Sequence, residues 1–159
     1  MLDAYRPTRP ITLKWPNDVL IGGAKVSGLL IEREEDVLLL GIGVNLVSHP
    51  DDTPYPATHL LEEMREKDLN RDEPLFTGSA AALALLSAKV TQRFTELERE
   101  GFAPIRAAWQ ARAQHVGRTV TVNGDTGIFT GLGPDGALCL RRADGTDAVV
   151  HAGDVSFGS

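Results

Sequence analysis

A chain of 159 residues suits one domain, or a domain with a small appendage, and 42% hydrophobic with 24% charged residues is the balance of a folded globular protein. A formal net charge of −6, with no run of Lys or Arg, makes the chain a poor electrostatic partner for nucleic acid. The single cysteine, Cys139, rules out a disulfide framework. No apolar run approaches the ~20 residues of a membrane span, and MLDAYRPTRP lacks the apolar stretch of a signal peptide, so the expected compartment is the cytoplasm.

Strand signals come first. ITLKW (11–15) alternates, with Ile11, Leu13 and Trp15 on one face, and Pro16 ends the run because it has no amide proton for a ladder. Trp15 reads as core rather than as a stacking platform. Val19-Leu20-Ile21 leads into Gly22-Gly23, a strong hairpin signal, and the chain returns from Val26 to Ile31. The charged stretch 32–36 is an expected turn, and a strand from Val37 to Leu46 follows, interrupted by Gly41 and Gly43. HPDDTPYP (49–56) must be a loop.

Helical signals come next. THLLEEMREK (58–67) reads as a short helix with Thr58 as N-cap. The longest helix is expected from about Pro74 to Glu100, with Leu83, Leu86, Val90, Phe94 and Leu97 as its buried stripe and Gly101 as its stop. A further helix runs from Pro104 to about His115. From Gly117 the period changes to two. Short strands at 120–122, 127–129, 137–140 and 148–150 are separated by Asn-Gly and Asp-Gly turn signals, the pattern of a small β-barrel. Cys139, in the alternating stretch 137–140, reads as a buried structural residue. His49, His59, His115 and His151 show no metal-ligand spacing in the sequence.

The early glycines invite a pairing argument. With 22–24 as one turn and Glu34-Glu35 as the next, Asp18 faces Gly28, Gly28 faces Gly41, and Ile21 faces Lys25. Glycine inside a strand marks a bulge or a close approach, so facing glycines leave a trough in the sheet. The trough admits two readings, a ligand or a crossing helix. Lys25 likewise is either a solvated lysine beside a turn or a cation holding an anionic ligand, with Asn17 and Asp18 supplying hydrogen bonds or a metal contact. Simple alternation puts Lys25 on the face opposite Gly28 unless a bulge intervenes.

The string itself is more specific. KWPNDVLIGGAKVSGLLIE (14–32) resembles the signature segment of bacterial biotin protein ligases. GIGVNL (41–46), YPATHL (55–60), GFAPIRAAWQARAQHVGRTVTV (101–122) and AGDVSF (152–157) resemble later family segments, in the family's order. The resemblance implies an α+β fold. A truncated mixed or antiparallel sheet with helices of the biotin/lipoate ligase catalytic fold would occupy residues 1–114, and a small SH3-like β-barrel residues 115–159.

It also implies a function in two steps. Biotin and ATP give biotinyl-5′-AMP and pyrophosphate, and a lysine of a biotin carboxyl carrier protein then takes the biotin. By resemblance Lys25 is the catalytic lysine, contacting biotin and the reacting carboxylate and phosphate. Gly28, Gly41 and Gly43 line the biotin pocket, and Asn17, Asp18 and Asn45 lie near the adenylate, with Asp18 near Mg²⁺.

The family's arginine- and glycine-rich loop, of pattern G-R-G-R-x-x-R, has no counterpart in these 159 residues, nor has a DNA-binding helix-turn-helix. The chain is therefore expected to represent the C-terminal portion of a ligase, inactive or impaired alone. Other readings are half of a split enzyme, a homodimer or a pairing with a separate N-terminal half, a non-catalytic biotin- or adenylate-binding or partner-docking fragment, and, further behind, a lipoate-protein ligase. No DNA or membrane partner is expected.

Overall fold

Gly22 and Gly23, with φ of 57° and 87°, form a two-residue turn in which both central residues take positive φ, the hairpin geometry that matches strand twist. The structure, a computed structural model, describes residues 1–64 and 78–157. It is an α+β protein of two compact units, one comprising Met1–Thr12 and Asn17–Gln92 and the other Leu13–Pro16 and Arg93–Ser159. Strand β1 (Ile11–Lys14) and helix α2 (Ser79–Glu100) each contribute residues to both.

In the first unit, β2 (Asp18–Ile21), β3 (Ala24–Glu34) and β4 (Val37–Val44) follow β1 in a four-stranded sheet of order β1-β2-β3-β4. The β2–β3 and β3–β4 pairs are antiparallel. Asp18 does pair with Gly28. Two departures from the expected register cancel to leave it so. The turn is one residue shorter than expected, pairing Ile21 with Ala24, and a bulge between Val19 and Leu20 restores the count by leaving Val26 extra. Gly28 pairs with Gly43 rather than Gly41, because the second turn falls at Glu35-Asp36, where Glu35 has a φ of 51°. The correction is two residues, so every side chain keeps its face.

Tyr5, Ile21, Val26, Leu60 and Met64 are the buried centre of this unit, and each such side chain removed from water contributes about 1.5–3 kcal/mol. Beyond Gly28 the hairpin is different: Leu30, Ile31 and Val37–Leu40 are all exposed.

Helix α1 (Leu60–Glu63) starts one residue later than expected, with His59 rather than Thr58 at the N-cap. The Thr58 hydroxyl donates instead to the Glu63 carboxylate at 2.6 Å. The start of the long helix at Pro74 lies outside the described residues. Within α2 the expected stripe is not buried: Leu83 is 66% exposed and Phe94 52%, and Ala82 is buried in their place. A 3.6-residue period names a face, but burial needs a partner element, which the period does not name.

The second unit is built from α3 (Phe102–Gln110) and a five-stranded antiparallel sheet. Its strands are β5 (Thr119–Val122), β6 (Asp125–Leu132), β7 (Leu138–Arg141), β8 (Asp147–Val150) and β9 (Val155–Phe157), in the order β8-β7-β6-β5-β9. Gly101 (φ 74°) ends α2, its amide donating to the Leu97 carbonyl at 2.9 Å, and directly caps α3. Helix α3 therefore begins two residues before Pro104. Trp15 is core, as expected, packed with Val120, Val122, Phe129, Leu138 and Leu140, and its indole N–H donates to the Gly136 carbonyl at 3.2 Å. Cys139 is half-buried, not buried.

The Glu63 carboxylate is buried in the first unit, where it accepts from Arg9 Nε at 2.9 Å and from Thr58. Burial alone would raise its pKa, but hydrogen bonds from Arg9 and Thr58, with the charges of Arg9 and His59, outweigh burial and hold it below the ordinary 4.5. Because the folded pKa lies below the unfolded one, this stabilisation is present above about pH 4.5 and is lost as pH falls through the folded value. Arg9→Ala leaves the buried carboxylate short of donors, so it should lower stability by about 1–3 kcal/mol in urea denaturation at pH 7. The gap should close when the same titration is run at progressively lower pH. An equal gap at all pH values would refute the charge argument.

Candidate active site

Backbone geometry builds the site before any side chain does. The bulge at Val26 turns Lys25 to the same face as Gly28, which resolves the conflict that simple alternation poses. A Cβ placed on Gly28 would lie 3.1 Å from Lys25 Cε, 3.3 Å from its Nζ and 3.5 Å from Asp18 Oδ1. Glycine here makes room for a lysine side chain lying flat across the strand. Across the ladder, a Cβ on Gly43 would meet nothing nearer than the Gly28 carbonyl at 3.9 Å, so the trough continues onto β4. Gly41 lies two residues further along β4, opposite Leu30.

Lys25 Nζ sits 2.7 Å from Asp18 Oδ1 and 5.0 Å from the centre of the Tyr55 ring, a cation–π distance. Burial pulls the ammonium's pKa down, but the hydrogen bond and charge of Asp18, with a smaller contribution from Tyr55, overcome it and raise the pKa above the ordinary 10.5. Lys25 is therefore a fixed cation at neutral pH. Both side chains of the pair are about three-quarters buried, so their attraction is less screened than that of a surface pair.

The connection from β4 to α1 walls this floor. Its backbone locks onto Lys25 from both sides: the Lys25 amide donates to the Pro56 carbonyl at 2.8 Å, and the Thr58 amide donates to the Lys25 carbonyl at 2.9 Å. Asn45 Nδ2 donates to the Thr58 carbonyl at 3.0 Å, and the Asn45 amide to the Val26 carbonyl at 2.9 Å. Asn45 thus ties the end of β4 to the same loop. Asn17 precedes β2 and accepts the Leu29 amide through its carbonyl, leaving an exposed side chain at the rim.

Asp18, Lys25, Gly28 and Gly43 are brought together, Asn45 holds the adjoining loop, and Gly41 continues the strand. Ser27 and Tyr55 escaped sequence reasoning. Ser27 is buried and donates to the Gly43 carbonyl at 2.7 Å, stapling the two glycine-bearing strands. An aromatic in a Pro-rich loop carries no signal of the lysine it will cover. His49 and His59, which show no metal-ligand spacing in the sequence, also meet: their Nδ1 atoms are 2.8 Å apart beside Glu62. Ten residues and a loop separate them, and the His59-x-x-Glu62 spacing at the start of α1 was the available clue.

The fold is that of the biotin protein ligases. Residues 3–47 match the Biotin/lipoate A/B protein ligase family, and residues 115–158 match the Biotin protein ligase C terminal domain. The chain is 36% identical over 166 aligned positions to a biotin–[acetyl-CoA-carboxylase] ligase of Paracoccus denitrificans, an alignment covering 98% of this chain and 66% of that protein. Among solved structures it resembles biotin protein ligase from Aquifex aeolicus at 26% identity. For the apo structure the TM-score is 0.79, covering 99% of this chain and 69% of that one; for the complex with biotin and ATP it is 0.75, covering 98% and 65%. The chain belongs to the biotin protein ligase family, a family of ligase enzymes. It spans 46% to 54% of the length of four further curated relatives. No helix among the described residues is long and apolar enough to cross a membrane.

Asp18→Asn removes the charge that holds the Lys25 pKa up and leaves burial to pull it down. The Lys25 ammonium, followed by nitrogen-detected NMR across a pH series, should titrate at lower pH in the variant than in the parent protein. An unchanged titration would mean that Asp18 does not hold this lysine.

Proposed function

We propose that this chain is the part of a biotin protein ligase that carries the catalytic lysine and the adenylate-facing polar residues, and that it acts in the cytoplasm on biotin and ATP. The observation that carries the reading is the Lys25 ammonium lying over Gly28 beside Asp18, in a chain of this family. In the first step the biotin carboxylate attacks the α-phosphorus of ATP. A bond forms from carboxylate oxygen to phosphorus, the α–β bridging bond breaks, and pyrophosphate leaves with its electron pair.

Negative charge grows on the α-phosphoryl oxygens, and a fixed ammonium stabilises it without reorganising. Asp18 and Tyr55 both engage the ammonium of Lys25, and its three N–H donors still leave one for a ligand oxygen. Gly28, Gly41 and Gly43 supply the backbone trough for biotin, while Asn17 and Asn45 border the adenylate. In the second step a lysine amine of a carrier protein attacks the biotinyl carbonyl, forming an amide and releasing AMP.

Mg²⁺ is commonly held by one or two carboxylates together with substrate phosphates. Asp18 fits as one such ligand, since its carboxylate has a second oxygen besides the Oδ1 that faces Lys25. The ion would supply charge neutralisation on the phosphates. Residues 1–114 would provide this chemistry and residues 115–159 the barrel domain.

The outer half of the β3–β4 hairpin favours the expectation of a second half. Leu30, Ile31 and Val37–Leu40 leave apolar side chains exposed on both faces of the hairpin, and interfaces bury surface of this kind. A further ligase segment bearing the arginine-glycine loop would cover it and contribute the missing anion contacts.

Exchange of labelled pyrophosphate into ATP, dependent on biotin, tests the reading. The chain alone should exchange negligibly, whereas adding the unmatched third of the Paracoccus ligase as a separate polypeptide should restore exchange. Lys25→Ala in the restored system should lower the rate by about 10²–10³-fold, the cost of one oxyanion donor. Robust exchange by the chain alone, or restored exchange indifferent to Lys25→Ala, would contradict the proposal.

A further inference from the structure

His49, His59 and Glu62 form a cluster that the ligase chemistry does not use. His49 Nδ1 and His59 Nδ1 are 2.8 Å apart, and Glu62 Oε2 is 3.5 Å from His59 Nδ1 and 3.9 Å from His49 Nδ1. Three ligand atoms at the corners of a tetrahedron around zinc, with bonds of about 2.0–2.2 Å, lie about 3.3 Å from one another. The three observed edges bracket that value, so shifts of a few tenths of an ångström would complete the triangle. We propose that His49, His59 and Glu62 bind one borderline divalent transition metal, of which Zn²⁺ is the natural choice for two imidazoles and a carboxylate.

Several features prepare the site. The two Nδ1 atoms already face each other, one ring donating its Nδ1 proton to the other's lone pair. On metal binding that proton moves to Nε2 of its own ring, and both Nδ1 lone pairs face the ion. Both histidine side chains are about four-fifths buried, so their positions are set by packing. Glu62 Oε2 also lies 3.3 Å from the Thr58 hydroxyl oxygen, whose proton goes to Glu63. Its own exposure of 55% leaves the fourth coordination position open to water.

The ligands sit on either side of the loop that walls the candidate active site. His49 stands at its start, and His59 and Glu62 at the beginning of α1. An ion held by both ends closes the segment that carries Tyr55, Pro56 and Thr58, the residues that cover Lys25 and bond to its backbone. The metal is thus a clamp on the loop, and the metal-binding prediction stands independently of any ligase activity.

Zn²⁺ titration of the tag-free, chelator-stripped chain by isothermal calorimetry, paired with Co²⁺ absorption, provides the test. The parent protein should bind one Zn²⁺ per chain, and Co²⁺ should give the intense visible bands of a four-coordinate site. His49→Ala and His59→Ala should each weaken binding at least about 100-fold, and Glu62→Gln by about tenfold or more, with far-UV circular dichroism confirming that each variant is folded. His151→Ala, a control in the other unit, should bind as the parent does. The proposal is overturned if the parent binds no more tightly than the folded His49→Ala/His59→Ala double variant. It is equally overturned if Co²⁺ shows only weak octahedral bands, or if His151→Ala abolishes binding.

Discussion

The ion pair between Lys25 and Asp18 depends on one bulge, and the candidate site depends on the ion pair. In a regular ladder Lys25 and Gly28, three residues apart, would lie on opposite faces of β3, and the ammonium could not reach Asp18 across Gly28. The extra residue at Val26 rotates Lys25 onto the glycine's face, while Val26 itself is fully buried. The bulge therefore does two things at once. It seats an apolar side chain in the core beside Ile21 and Leu60, and it aims a cation into the trough. Burial of Val26, roughly 1.5–3 kcal/mol, opposes any relaxation of the strand to a regular register that would move Lys25 away.

The same peptide segment anchors the wall of the site. Lys25 offers both of its backbone polar groups to the β4–α1 connection, and Val26 accepts the amide of Asn45. Loop position is thus coupled to the bulge by backbone hydrogen bonds rather than by side chains that could rotate. Glu63, at the far end of α1, fixes the other flank by accepting from Arg9 and Thr58, and the Thr8 amide donates to the Glu63 carbonyl at 2.8 Å. The first residues of the chain and the loop above Lys25 consequently converge on one short helix. A helix of four residues would not persist alone in water, and these tertiary bonds are what hold it.

Legibility varied with how local the determining physics was. Turns were readable because Gly-Gly and Asn-Gly dictate positive φ within two residues, and Gly22-Gly23 and Asn123-Gly124 both adopt it. The pairing of Asp18 with Gly28 was reached through two compensating misjudgements, and the β3–β4 register was off by two because Glu34, Glu35 and Asp36 are chemically interchangeable as turn formers. What the sequence did not reveal depends on contacts across space. Leu83 and Phe94 of α2 have helical spacing yet remain exposed, and β9 was too short to stand out as a strand. Tyr55 and the His49–His59 contact arise where a loop folds back, and no period runs through a loop.

The resting ion pair also constrains how an anion can enter. An incoming carboxylate or phosphate meets an ammonium whose charge Asp18 already partly offsets, so the pair weakens long-range attraction to the site. In exchange, it fixes the direction of the ammonium's N–H groups, since one donor is committed to Asp18 and Tyr55 bounds another side. A lysine without such a partner would bring its full charge but would have to lose the freedom of a four-carbon chain on binding, up to about 2 kcal/mol. Here that entropy is already lost on folding. The arrangement therefore favours positioning over raw attraction, and that preference would suit the proposed reaction, in which two anionic reactants are held in line. Attraction strong enough to gather both would have to come from additional cations around the trough, and the four-residue floor of Asp18, Lys25, Gly28 and Gly43 contains one positive and one negative charge.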